Sequence, residues 1–309
     1  MPEAVVAVIA AYAPDAALVD HVRTAAQQVA GVVVVDDGSP GGAREVLAAV
    51  EAAGALVVRQ PANAGIAAAL NAGIEAARAR WRPDFVVTLD QDSALGADYV
   101  RHALETFRRA TDAGLRVGFV AAAAYGGHPT PTRRPVAGFT RAFDPMQSGC
   151  VVPVGTLDVA GGFDEGLFID GVDSEFTARV TAAGMVVLVG EGCDLAHALG
   201  RREPATVGGR PVRVFGRQLT YNYHAPTRVY YIARNGTLLS LRHFRDDPLW
   251  VGRRLVEEAK AHGMRLVLGR DRALVLRAMG AGYADALRGR TGRIPARLEE
   301  ALRRRRGSA

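Results

Sequence analysis

Through the first 120 residues, short unbroken apolar runs alternate with stretches whose apolar residues recur every three to four positions. Residues 5–9, 32–35, 55–58 and 85–89 are the short runs. Rich in β-branched residues, each predicts a buried strand. Between them lie helix signals. Pro14-Asp15 opens the first, with Asp15 as N-cap and Gly31 as its stop. The second spans residues 42–53 before Gly54, and a Gly/Asn-rich turn at 61–65 leads into an Ala-rich third reaching about Arg80. Continuous apolar strands joined by helical crossovers predict an α/β fold with a mainly parallel sheet covered on both faces. Ligands of such sheets bind beyond the carboxyl ends of the strands.

Farther along, residues 126–141 are rich in Pro, Gly and Arg and read as a surface loop. Residues 148–154 predict a strand, 157–163 a short helix, 172–183 a helix stopped by Gly184, and 185–189 another strand. The polar, glycine-rich segment 199–212 predicts a mobile loop. Helical periodicity then dominates over 227–244, 249–269 and 272–288, and the Arg-rich tail 303–306 reads as a frayed end. The expected division is an α/β domain over 1–223 and a helical basic region over 224–309.

Composition narrows the picture. Hydrophobic residues at 49% and charged residues at 23% suit a globular chain of 309 residues with a sizeable core. Two isolated cysteines, Cys150 and Cys193, form neither a disulfide framework nor a zinc site, so a reducing compartment is expected. No apolar run is long enough to span a bilayer, and no basic segment precedes the first apolar stretch as in a signal peptide, so a cytoplasmic location is expected. Charge is unevenly placed. Residues 1–100 carry 6 basic and 12 acidic side chains, residues 101–200 carry 8 and 11, and residues 201–309 carry 24 and 9. A net +15 in the last third points to an anionic partner.

Four segments carry chemistry. Asp90-Gln91-Asp92 ends the fourth strand, and alternate residues there face one way, so two carboxylates can share an oxygen-ligated Mg²⁺ or Mn²⁺. Asp36-Asp37-Gly38-Ser39 ends the second strand, where an acid can accept from a base N–H or a ribose hydroxyl, or simply build a turn. Asn63-Ala64-Gly65 and Asn71 open the Ala-rich helix, whose small residues allow close backbone approach, to phosphate or to packed neighbours. Phe168-Ile169-Asp170-Gly171-Val172-Asp173-Ser174-Glu175-Phe176 places three acids within six residues at a helix start, with Arg179 following. Acids are favoured at helix starts, and crowding among carboxylates also makes a competent general base.

Taken in order, VVDDGS, N-x-G-x-A-x-A-x-N-x-G, DQDS and FIDGVDSEF…R resemble the family 2 inverting glycosyltransferases of GT-A fold. DQDS and F-I-D-x-V-D-x-E are similar to bacterial rhamnosyltransferases of cell-surface polysaccharide synthesis, and Tyr230-Tyr231-Ile232-Ala233-Arg234-Asn235 and 282–290 are similar to that family's downstream helices. The resemblance implies a nucleotide and donor site of Ala11, Tyr12, Asp36, Asp37, Asn63, Gly65, Asn71, Asp90, Gln91, Ser148 and Gly149. It implies a metal, Mg²⁺ or Mn²⁺, at Asp92 and His197, and Asp173 as the general base. Asp170, Glu175 and Arg179 would complete the acid cluster near the acceptor. The implied donor is dTDP-rhamnose, with a UDP-sugar as the alternative, and the implied acceptor a glycan or lipid-linked glycan. No Q-x-x-R-W motif of the processive synthases is present, so one sugar per acceptor is expected. No nucleic-acid-binding signature occurs. The basic end leaves open a peripheral membrane contact, helices packed on the core, or an interface in a homo-oligomer.

Overall fold

The computed structural model describes residues 3–197, 202–207, 210–214, 216–269 and 271–303. Two compact units divide them: residues 3–168 with 172–197, and Ile169–Gly171 with the described residues from 202 to 303.

The first unit opens with β1 (Val5–Ala11), α1 (Ala17–Ala26), β2 (Gly31–Asp36), α2 (Arg44–Ala52), β3 (Leu56–Arg59), α3 (Ile66–Trp81) and β4 (Phe85–Asp90). It continues through β5 (Ser93–Leu95), α4 (Tyr99–Asp112), β6 (Val117–Ala121), β7 (Ala124–Tyr125), β8 (His128–Pro129), β9 (Thr132–Val136) and β10 (Phe139–Ala142). β11 (Cys150–Pro153), α5 (Val154–Ala160), α6 (Val172–Ala182), β12 (Val186–Val189) and β13 (Asp194–His197) complete it. The main sheet has nine strands in the order β3-β2-β1-β4-β11-β6-β12-β10-β9. Its first four strands are parallel, as their unbroken apolar runs require, and β12 is parallel to β6, while β11 runs antiparallel between β4 and β6.

Side chains of β1 alternate between two covered faces. Val5, Ala7 and Ile9 join the core built with Leu18 and Val22 of α1 and Tyr99, Val100 and Ala103 of α4. On the other face α3 lies close to the strands, and a Cβ on Gly73 would run into Val8 and Val35. The Ala- and Gly-rich composition of α3 is therefore a packing requirement. A smaller sheet, β5-β13-β7-β8, forms beside the main one.

Two expectations are corrected. The segment expected as a surface loop at 126–141 instead folds into β8 and the β9–β10 hairpin, which extends the main sheet through β12. Arg and Pro on an edge hairpin mask it, since edge strands tolerate Pro and favour charge. The first helix begins one residue later than expected, with Ala16 at the N-cap, and Asp15 accepts from the Ala17 amide at 2.9 Å from just outside it.

In the second unit α7 (Pro226–His243), α8 (Pro248–Leu268), α9 (Arg272–Leu287) and α10 (Ala296–Leu302) follow short strand pairings. Arg202–Pro204 pairs antiparallel with Thr220–Asn222, which places ordered strands inside the segment expected to be a mobile loop. Residues 198–201, 208–209 and 304–306, which belong to that loop or to the Arg-rich tail or adjoin them, lie outside the described residues. No described helix is long and apolar enough to cross a membrane.

Gly65 sits at φ 96°, and a Cβ there would strike the Phe168 carbonyl. Gly65→Ala is expected to destabilise the chain by about 2–4 kcal/mol, through backbone strain plus overpacking. Urea denaturation checks it: the midpoint should fall at an unchanged slope.

Candidate active site at the strand ends

Parallel register brings three chain segments to one edge. Ala11 lies opposite Asp36, and Ala10 opposite Asp90, so the ends of β1, β2 and β4 finish level. Side chains then bind the loops to one another. The buried Asp37 carboxylate accepts from the Ala64 amide at 2.7 Å and the Gly65 amide at 2.9 Å, while its own amide donates to the Ala11 carbonyl. Asp36 accepts from the Ser39 amide at 3.0 Å, and the Ser39 hydroxyl accepts from Ala13 at 2.7 Å. Gln91 reaches back to accept from the Tyr12 amide at 2.8 Å, leaving the Tyr12 ring half exposed. His21 donates from Nδ1 to the Gln91 carbonyl at 2.8 Å. The Ile66 amide donates to the Phe168 carbonyl at 2.9 Å. The amides of Ala64, Gly65 and Ile66, at the entry to the Ala-rich helix, are thus taken by protein acceptors. Asn63 stands apart: its Oδ1 is buried with no partner among the described residues.

Asp90, Asp92 and His197 each present a ligand atom within 4.8 Å of the others. Two carboxylates and an imidazole at the end of a strand are a donor set that Mn²⁺ or Mg²⁺ accepts. The fit goes beyond proximity, because each ligand is held. Gln147 donates from Nε2 to Asp90 Oδ1 at 2.6 Å. The fully buried Ser148 accepts from the Asp90 amide at 3.0 Å and donates to Ser93 Oγ at 2.8 Å, and Ser93 Oγ lies 2.9 Å from His197 Nδ1. His197 Nδ1 is also 3.6 Å from Asp92 Oδ1. β13 pairs with β5, setting His197 directly across from Ser93 although 104 residues separate them. Gly149 does a backbone job. At φ 84° its carbonyl accepts from the Tyr99 hydroxyl at 2.6 Å, and a Cβ would meet that hydroxyl.

Asp173 lies in the first turn of α6, where the helix dipole favours a carboxylate. It accepts from the Ser174 amide at 2.8 Å, and the Ser174 hydroxyl donates to Asp144 Oδ2 at 3.0 Å. Burial pushes the Cys150 thiol well up, and the carboxylates of Asp173 and Asp90 both add to that shift, so both lie within electrostatic reach of one buried sulfur. Cys193 is likewise free and buried, its thiol pushed up to about 12 by burial and then by Asp194.

The acid cluster is not one group. Glu175 and Arg179 form a two-pronged pair at 2.8 and 2.6 Å, and Arg179 also donates to the carbonyls of Ala160 and Gly162, fastening α6 to the end of α5. Arg179 is thereby committed to protein acceptors. Asp170 belongs to the second unit, where Arg228 grips it through three contacts of 2.9 to 3.1 Å. Asn71 clamps α3 to the turn after α5, exchanging bonds with both main-chain groups of Phe163 and donating to Glu165. Of the supporting residues, Ser93 closes the DQDS motif and Gln147 adjoins Ser148-Gly149, while Asp144 and Tyr99 carry no motif.

Removing the Ser93 hydroxyl frees the His197 ring without touching a ligand. Ser93→Ala should weaken Mn²⁺ binding about tenfold, as loss of a ligand's supporting partner does. Asp92→Asn should weaken it further; titration followed by the Mn²⁺ paramagnetic resonance signal measures both.

Residues 7–151 match the family model of Glycosyl transferase family 2. Over 250 residues the chain is 27% identical to the dTDP-rhamnosyl transferase RfbF of Shigella flexneri, covering 75% of this chain and 78% of that protein. Among solved structures it is similar to S. aureus TarS, with a TM-score of 0.54 and 14% identity over 97% of this chain; it spans half of that longer chain. It is also similar to the mannosyltransferase PcManGT of Pyrobaculum calidifontis, solved with GDP-Man and Mn²⁺, with a TM-score of 0.53 and 18% identity over 97% of this chain and 79% of that one. The sheet order, the level strand ends and the match over 7–151 agree: the chain carries a family 2 glycosyltransferase domain over those residues and has the GT-A fold of its structural neighbours.

Proposed function

We propose that the protein is an inverting rhamnosyltransferase, moving rhamnose from dTDP-rhamnose to an acceptor hydroxyl of a cell-surface glycan precursor. The observation that carries the chemistry is the cluster of Asp90, Asp92 and His197 at the end of β4, each presenting a ligand atom within 4.8 Å of the others. The dTDP-rhamnose assignment is supported by the likeness to the Shigella enzyme. Asn63 is suited to the nucleotide, since its orphaned Oδ1 can accept the ring N–H that thymine and uracil share. That residue alone therefore does not separate dTDP from UDP, and a UDP-sugar donor is the alternative. It is favoured by the likeness to TarS solved with UDP-GlcNAc, 13% identical with a TM-score of 0.52 over 93% of this chain and 92% of that one.

Asp90, Asp92 and His197 would hold the divalent ion, which when bound neutralises charge on the leaving diphosphate. Asp173 takes the proton of the acceptor hydroxyl as its oxygen forms the new bond to the anomeric carbon. The bond from that carbon to the diphosphate oxygen breaks on the opposite face, which inverts the configuration. Ser148 and Gln147 keep Asp90 in place, and Asp37 keeps the nucleotide loop closed over the start of α3. Asp173→Asn should lower kcat about 10²–10⁴-fold, the range for losing a general base, with donor affinity retained. Normal turnover in that variant would remove Asp173 from the role. Stabilisation by dTDP over UDP, GDP, ADP and CMP, read by thermal unfolding with Mn²⁺, separates the rhamnose reading from its alternative.

The acceptor side is read from α8, which buries Arg265 and His262 beside Trp250 and Val251, while Leu249, Val256, Met264 and Val267 are exposed, Leu249 at 85%. Those four fall along one face, interspersed with Arg253 and with Lys260, which pairs with Glu257 at 2.9 Å. An exposed apolar stripe carrying cations suits the surface of an anionic bilayer, where a lipid-linked acceptor would reside. Two copies of so basic a region would repel each other. Leu249→Glu with Val256→Glu should reduce binding to phosphatidylglycerol vesicles about tenfold or more in a sedimentation assay, and leave transfer to a soluble acceptor intact.

A further inference from the structure

The second unit buries an arginine that lacks a counter-charge. Arg265, on α8, is only 8% exposed, yet no described carboxylate lies within ion-pair distance of it. Its two terminal nitrogens instead face imidazoles: Nη1 lies 3.2 Å from His262 Nδ1 and Nη2 lies 3.4 Å from His224 Nδ1. A guanidinium only donates, so both imidazole nitrogens must be the unprotonated acceptors, and the remaining nitrogen of each ring carries the hydrogen. Burial first, and Arg265 next, lowers the pKa of both rings, that of His262 to about 4, in keeping with neutral imidazoles.

Two donors are left over. Arg265 Nε and His262 Nε2 are buried with no partner among the described residues. Leaving buried donors unmade is costly, and both require an acceptor. Nearby acids are already matched. Asp170 is gripped by Arg228 and Glu258 by Arg254, and both acids act on Arg265 only at a distance. Tyr283 adds its ring beside His262 at 6.4 Å, and its hydroxyl is a further donor.

We propose that Arg265, His262, His224 and Arg228 form a second anion site, one that takes a phosphate or diphosphate ester. Orphaned Arg265 Nε, an orphaned His262 N–H and the Tyr283 hydroxyl offer more donors than a carboxylate's two oxygens use, with Arg228, which already holds Asp170, at the exposed rim. A phosphoryl group with three or more oxygens matches them. The site uses none of Asp90, Asp92 and His197, so it works without a divalent ion. It stands whether or not the rhamnosyl reading does.

The test is thermal unfolding of the full chain in EDTA, titrated with sodium pyrophosphate against sodium chloride of equal ionic strength. Saturable stabilisation is expected, about 5 °C near 100-fold excess over Kd. Arg265→Met should abolish that response, and Arg265→Lys, which keeps the charge but loses the fork, should weaken affinity about tenfold. Asp92→Asn should leave it unchanged. No saturable shift in the unaltered chain, or the same shift in Arg265→Met, overturns the site. Should Arg265→Met not fold, the lysine variant decides: an affinity equal to the parent's overturns it. Repeating the titration with dTDP and with farnesyl diphosphate identifies the source. Whichever ester loses its effect in the arginine variants is the one the site holds, a nucleotide or a lipid-linked phosphate; loss for neither overturns the site.

Discussion

The buried carboxylate of Asp37 is the fastening on which the nucleotide edge of the sheet depends. Its two oxygens hold the amides of Ala64 and Gly65, so the loop after β2 cannot move without the start of α3. A charge that deep is tolerable only because both oxygens are bonded. From there the constraint spreads. The Asp37 amide reaches β1 at Ala11, Gln91 ties Tyr12 to the end of β4, and the Phe168 carbonyl caps α3 from the segment that leads to α6. One anchored loop therefore sets the spacing between the nucleotide side, the carboxylate pair and the base.

A second chain of bonds does the same for the carboxylates. Asp90 and Ser93, Ser148, and His197 come from three places in the sequence and meet in one row of bonds of 2.8 to 3.0 Å. Ser148 can serve both Asp90 and Ser93 because a hydroxyl accepts and donates at once. The positive φ at Gly149 turns the chain back after Ser148, and Tyr99 holds that turn from α4. The site is rigid through hydrogen bonds to small buried side chains rather than through large contacts.

β1, β2 and β4 were legible because they are buried on both faces, which leaves an unbroken apolar run as their mark; the edge strand β3 shares the run, though Leu56 is exposed. The residues at their ends were legible for the same reason, since register alone places Ala11, Asp36 and Asp90 together. What periodicity hid was the β9–β10 hairpin, whose Arg- and Pro-rich strands pair through the backbone and bury little. Gln147 and Asp144 were hidden for another reason. Their role is to hold a ligand or a base, which any short polar residue can do once the fold delivers it, so no spacing records it. α8 was misleading in a third way: its sequence announces amphipathicity but not which face is turned inward.

The three acids of FIDGVDSEF show how little proximity in sequence says about charge. Crowding among them would make a base by raising the cost of ionisation. Instead Glu175 carries Arg179 and Asp170 carries Arg228, so two of the three negative charges are compensated locally. Asp173 stands at the first turn of a helix beside a serine that also serves Asp144. As the proposed base it would rely on position and on timing: the acceptor hydroxyl loses its proton only as its oxygen attacks, when that proton has become acidic. A carboxylate held at a helix start, and not a strained cluster, is sufficient for that transfer.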